Sequence, residues 1–132
     1  LDVKLRHLDE WNCARRRHAI EYDKKLAQIG VQPPARRSDE GHVYHLYVIE
    51  VEQRDRIAAE LRDRGIQTGI HYPIPIHLQP AYAELNLGAG SYPRTEAAAH
   101  RVLSLPMFPE LTDEQIERVV DTLASSRSLV VA

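Results

Sequence analysis

Gly69-Ile-His-Tyr-Pro-Ile-Pro-Ile-His-Leu-Gln-Pro-Ala-Tyr82 is the stretch around which this chain is arranged. It sets two histidines, His71 and His77, and two tyrosines, Tyr72 and Tyr82, among Pro73, Pro75 and Pro80. Proline fixes φ and removes a backbone donor, which excludes a helix interior and a central strand and predicts a stiff, extended loop. Local chemistry suits a plain connection whose histidines cap neighbouring backbone. It suits equally a ligand-facing loop, because polar groups on a rigid loop lose less entropy on contact.

Outward from the loop, the apolar periodicity defines the other elements. Leu1, Leu5, Leu8, Ala19, Tyr22, Leu26 and Ile29 recur at three- and four-residue steps and predict one helix over 1–29, with Gly30 as its stop. Such a helix would span about 43 Å, and its front half should pack on something absent here. A polar turn through Pro33, Pro34 and Arg36 to Gly41 leads to a strand from Val43 to Val51, apolar on both faces and therefore expected to be central. A second helix is predicted from Gln53 to Arg64 with Gly65 as its stop, then a short strand over Ile66 to Ile70. After the loop come a helical turn from Pro80 to Leu85, a Gly88-Ala-Gly90 link, and a helix from Pro93 to Val102 capped by Ser91. Leu103 to Pro106 reads as a third strand. Thr112 and Gln115 form a capping box for a last helix whose inner face is Ile116, Val119, Val120 and Leu123. The apolar tail Leu129 to Ala132 should dock on the body. The expected fold is α+β, a small, mostly antiparallel three-stranded sheet covered by helices, with a long N-terminal linking helix.

The chain has 132 residues and a net charge of -2, which gives no electrostatic case for nucleic acid or an anionic membrane. One cysteine, Cys13, excludes an intrachain disulfide, and no apolar run reaches a membrane span or a signal peptide; cytoplasmic is the default. The helical pattern is already under way at Leu1 without a start signal, so the expectation is a piece cut from something longer.

Candidate chemistry is sparse. His42, His45, His71 and His77 show spacings that match no closed zinc pattern, so no metal is expected. His7, His18 and His100 are expected at the surface, and His45 as a satisfied core or sheet-edge histidine. Cys13 has no evident base, and no phosphate-cradling glycine run is present. Lys4, Lys24 and Lys25 all fall on the first helix among charges, so none has the apolar setting that activates a Schiff-base lysine. No catalytic residue is assigned.

The order of motifs, however, resembles a known family. Leu5-x-x-Leu-Asp-Glu-Trp-Asn12 with Arg15-Arg16-Arg17 resembles the helix that leaves the large domain of the DegT/DnrJ/StrS aminotransferases. Val43-Tyr-His-Leu-Tyr-Val-Ile49 is similar to their small-domain strand, and Arg64 to Pro73 with Pro75 to Tyr82 to their substrate-side loop. Leu103 to Pro109, then Leu111-Thr-x-Glu-Gln-Ile116, are similar to the closing strand and helix. The resemblance implies the small domain of a fold-type-I enzyme that uses pyridoxal 5'-phosphate to move an amino group from glutamate or glutamine to a nucleotide-linked keto-sugar. It implies that residues 1–29 link to a large cofactor domain of the same polypeptide, that 30–132 form the small domain, and that the complete enzyme is a homodimer. The Schiff-base lysine and the cofactor-binding residues would lie in that large domain. The isolated chain is therefore expected to bind no cofactor and to be inactive. His71, Tyr72 and His77 would face the sugar nucleotide. The alternative is a stand-alone, non-catalytic α+β ligand-binding module.

Overall fold

The computed structural model describes residues 1–35 and 41–126. The expected turn at 36–40 and the docking of the tail at 129–132 lie outside the described residues. The elements are α1 (Asp2–Leu5), α2 (Leu8–Gln28), β1 (Tyr47–Glu50), α3 (Arg54–Asp63), two 3-10 turns (Ile76–Leu78 and Pro80–Leu85), α4 (Pro93–Arg101), β2 (Val102–Leu105) and α5 (Asp113–Ser125).

The first helix is interrupted. The α-helical hydrogen bonding is interrupted at Arg6 and His7, whose backbone keeps right-handed angles, so α1 is a single exposed turn with no buried residue, and the packed helix begins at Leu8. From there α2 buries His18, Ala19, Tyr22 and Leu26 along one face. Its end is set by Gly30 at φ +75°, where Val31 N–H donates to Leu26 O at 3.0 Å and Gly30 N–H to Ala27 O at 3.3 Å. Gly65, at φ +77°, closes α3 in the same way: Ile66 N–H reaches Leu61 O and Gly65 N–H reaches Arg62 O, both at 2.9 Å. Only glycine adopts that left-handed backbone without strain, and each motif tucks an apolar residue, Val31 or Ile66, back onto the core. The predicted capping box of α5 is present. Gln115 N–H donates to Thr112 Oγ1 at 3.3 Å, and Thr112 N–H to Gln115 Oε1 at 3.0 Å.

The sheet departs from expectation in two respects. Two strands pair, antiparallel, with Tyr47 opposite Leu105 and Glu50 opposite Val102. The third strand expected at Ile66 to Ile70 contributes a single bridge, Gly69 to Ser104. Chain direction accounts for this: beyond Gly69 the backbone runs into Pro73 and Pro75, which have no N–H for a ladder. The central position accordingly belongs to β2, with β1 on one side and the Gly69 bridge on the other. β1 is also shorter than its apolar run, because Tyr44 takes φ +46° and its N–H turns to His42 Nδ1 at 3.0 Å.

One core joins these elements. Tyr22, Leu26, Tyr47, Ile49, Ile57, Leu61, Leu103, Ile116 and Leu123 are all fully buried in it, with α5 packed on α2 and α3 packed on α5 and β2. The Tyr22 and Tyr47 rings stack at 4.8 Å, and Tyr22 O–H donates to Pro106 O at 3.0 Å. Burial pushes the Tyr22 phenol well above its ordinary pKa, so it stays a neutral donor there. His18, expected at the surface, is buried, with Nε2 3.0 Å from Pro109 O. Together Tyr22 and His18 fasten α2 to the carbonyls of the segment that follows β2. No helix among the described residues is long and apolar enough to cross a membrane.

Candidate functional site

The Gly69–Tyr82 loop starts at the Gly69–Ser104 bridge, whose two backbone hydrogen bonds are 2.7 and 3.0 Å long. Both backbone groups of Ser104 are turned toward Gly69, which makes Ser104 and Val48 the non-hydrogen-bonded pair of the β1–β2 ladder. The loop is therefore anchored on the central strand of the domain. His71 follows on the exposed side, and its Nδ1 lies 2.9 Å from the hydroxyl of the buried Ser104. Its ring rests directly on Gly69: a Cβ at position 69 would come within 2.6 Å of His71 Cε1. Tyr72 projects outward, 75% exposed, with its ring edge-on to His71 at 6.0 Å.

The far half of the loop is fastened differently. Ile76–Leu78 and Pro80–Leu85 wind into consecutive 3-10 turns, so the loop is extended only in its first half. The first turn carries His77 inward, where its ring N–H donates to Glu96 Oε1 at 3.0 Å and its ring edge meets Tyr92 at 4.8 Å. The His77 side chain is 7% exposed. Glu96 also accepts Gly90 N–H at 2.9 and 3.0 Å and Tyr92 N–H at 3.1 Å. Those amide donors, with His77, hold its carboxyl below the usual carboxylate range. Glu96 thus does the capping expected of Ser91. Tyr92 is the N-cap residue of α4, no side chain caps it in the ordinary way, and the first-turn acid reaches back instead.

The loop histidines thus part company. His71 and Tyr72 stand together on the outer face, and His77 serves as a fastening between the loop and α4. Sequence reading missed Glu96; the signal available was an acid in the first turn of a helix that opens with proline. His45 lies exposed ahead of β1, and His42 packs on Tyr44 at 4.1 Å. Tyr44 is partly buried against the core, and Tyr82 is exposed. Among the described residues no three His, Cys, Asp or Glu side chains converge as a metal site.

The outer face of the loop is apolar and open. Tyr72, Ile74, Ile76, Tyr82, Leu85 and Tyr92 are all exposed on it or beside it. Two clefts of the domain lie elsewhere, one between Pro33–Ala35 and β1, the other between Ile66–Gln67 and α5. Among the described residues the loop presents an open wall. The chain does not bring a lysine to it. Lys24 donates to Glu21 Oε1 at 2.7 Å, Lys25 pairs with Glu117 at 3.8 Å, and Lys4 is exposed on α1. These residues do not fit a Schiff-base site for pyridoxal phosphate beside His71.

Comparison with known proteins gives this wall a context. A profile of the DegT/DnrJ/EryC1/StrS aminotransferase family matches residues 1–124. The erythromycin biosynthesis sensory transduction protein EryC1 of Saccharopolyspora erythraea is 45% identical over 124 residues, 93% of this chain and 34% of that protein. The dTDP-3-amino-3,4,6-trideoxy-α-D-glucose transaminase of Streptomyces venezuelae is 44% identical over 124 residues, 93% of this chain and 33% of that protein. Among solved structures, S. venezuelae DesV superposes with a TM-score of 0.86 at 43% identity, over 93% of this chain and 33% of that one. The chain therefore spans about a third of the length of the relatives it matches. With the match running from α1 to within a residue of the end of α5, this chain belongs to the DegT/DnrJ/EryC1/StrS aminotransferase family.

Proposed function

We propose that this chain is the C-terminal, substrate-side part of a pyridoxal-phosphate-dependent aminotransferase that transfers an amino group from glutamate or glutamine to a nucleotide-linked keto-sugar. The observation that carries the reading is the exposed His71–Tyr72 pair, seated on the central strand of a domain whose relatives are transaminases of dTDP- and UDP-linked amino sugars. Several of those relatives are named for nitrogen at carbon 3, which makes a nucleotide-linked 3-keto-sugar the first substrate to test. The cofactor, described in the pyridoxal- and pyridoxamine-phosphate forms of Streptococcus pneumoniae Spr1654, supplies the amino-group chemistry when bound. This chain's residues bind and orient. His71 offers a ring nitrogen to a sugar or diphosphate oxygen, and Tyr72 offers a face and a hydroxyl. His77 acts through Glu96 to hold the loop in place. In this reading residues 1–29 lead to the large cofactor domain, residues 30–132 form the small domain, and the enzyme is a cytoplasmic homodimer. The exposed Leu1, Val3, Leu5 and Leu8 on α1 and the start of α2 form an apolar surface suited to that large domain.

In the complete enzyme, His71→Ala is expected to raise KM for the nucleotide sugar about tenfold, the equivalent of one lost hydrogen bond to a polar ligand. Steady-state kinetics at varied sugar nucleotide measure it. An unchanged KM in both His71→Ala and Tyr72→Ala contradicts the assignment of this loop.

A further inference from the structure

We infer that Ser104 is a positioning residue that fixes the protonation pattern of His71, so that the ring presents Nε2–H outward as a hydrogen-bond donor. The loop then selects an acceptor oxygen on its ligand. This deepens the substrate-side reading above and rests on it for the identity of the ligand, though not for the state of the imidazole.

Ser104 is 4% exposed on the central strand, and its backbone N–H and C=O are both committed to Gly69. Its hydroxyl has one side-chain partner among the described residues, His71 Nδ1 at 2.9 Å. A buried hydroxyl must place its proton on an acceptor. If Ser104 O–H donates to Nδ1, both groups are satisfied and the imidazole proton sits on Nε2. If Nδ1–H donates instead, the serine proton is left in the interior without an acceptor. The first arrangement is the favourable one.

Ring orientation is fixed independently by Gly69. The imidazole occupies the space a Cβ would need, 2.6 Å from Cε1 and 3.2 Å from Nδ1. Gly69 and Ser104 both hold the Cε1–Nδ1 edge of the ring, and Nε2 of the exposed His71 has no hydrogen-bond partner among the described residues, which leaves it for a ligand. An outward donor suits a keto, hydroxyl or phosphate oxygen and disfavours a ligand that offers only a donor there. Glycine at 69 and serine at 104 thereby determine what His71 recognises.

Nitrogen-detected NMR of the 132-residue chain at about pH 8, where an ordinary imidazole is neutral, reads the state directly. His71 is expected to show a pyrrole-like Nε2 and a pyridine-like Nδ1. Ser104→Ala and Gly69→Ala should each shift both nitrogens toward the mixed values of a free imidazole, and Ser104→Thr, which keeps the hydroxyl, should restore them. A His71 protonated on Nδ1, or a spectrum unmoved by Ser104→Ala in a folded chain, overturns the inference. In the complete enzyme Ser104→Ala should raise KM for the nucleotide sugar severalfold while kcat changes less. If the spectra behave as expected and KM stays constant in both Ser104→Ala and His71→Ala, the imidazole assignment stands and the sugar-nucleotide reading fails.

Discussion

Replacing Arg54 by alanine is expected to destabilise the domain by about 2–4 kcal/mol, the cost of stripping a charged donor from buried carbonyls. Arg54 is 7% exposed although it lies in the first turn of α3. Its Nη1 donates to Ala99 O at 3.1 Å and Val102 O at 3.2 Å, while Nε donates to Asp55 Oδ1 at 2.7 Å. The two carbonyls lie where α4 gives way to β2, so one guanidinium joins three elements and satisfies the end of a helix that has no glycine stop. Alanine leaves both carbonyls without that donor and opens a void beside Ala99. Arg54→Lys should recover only part of the loss, because one ammonium cannot reproduce the planar fork. Urea unfolding of the chain measures the difference. A change below about 0.5 kcal/mol for Arg54→Ala, the range of an ordinary surface substitution, would mean the guanidinium is not structural.

The second large effect is expected at Glu96. Converting it to alanine removes the acceptor for the Gly90 and Tyr92 amides and for His77, so the second half of the loop and the start of α4 should come apart together. Hydrogen exchange should show the Gly90 and Tyr92 amides losing protection while the α2–α5 core keeps its own. Acid should act similarly. The Glu96 carboxyl in the folded chain titrates below its ordinary value, so its contribution is present in full above about pH 4.3 and is lost as the pH falls through the lower, folded value. Glu96→Gln should behave as a permanently neutralised clasp and lose that pH dependence. Protection at Gly90 that is equal in wild type, Glu96→Ala and Glu96→Gln would contradict the role.

The elements that were legible in the sequence are those whose cause is local. Gly30 and Gly65 stop their helices because the stop needs a left-handed residue, and Thr112 with Gln115 caps α5 within a single turn. The prolines of the loop excluded helix interior and central strand in the same way, although Ile76–Leu78 still found a short 3-10 turn. What was not legible depends on partners distant in the chain. His18 is buried because a carbonyl 91 residues away meets its ring, and Arg54 because its acceptors lie 45 and 48 residues on. The expected central strand fared similarly. An apolar run on both faces predicted cover on both sides, yet only the Tyr47 and Ile49 face of β1 is buried while Val48 is half-buried and Glu50 exposed, and strand order depends on where Gly69 meets Ser104.

At the candidate site, type and place were separable. The loop itself was visible as a proline-rich stretch carrying histidine and tyrosine, and His71 and Tyr72 do stand on its outer face. His77 has the same residue type and the same kind of neighbours, yet it turns inward. The difference lies in Glu96, nineteen residues further along, which offers it a carboxylate. Periodicity carries no information about a pairing of that kind.

The most direct test of the central claim is to supply the chain, alone and within its complete polypeptide, with pyridoxal phosphate, glutamate and a nucleotide-linked 3-keto-sugar. Product analysis by mass spectrometry, with borohydride trapping of any lysine adduct, reads both parts. The account predicts an amino sugar and 2-oxoglutarate from the complete polypeptide, and neither turnover nor a reducible adduct at Lys4, Lys24 or Lys25 from the 132-residue chain alone. Turnover by the isolated chain, or none by a complete, cofactor-loaded enzyme across dTDP- and UDP-linked keto-sugars, would contradict it.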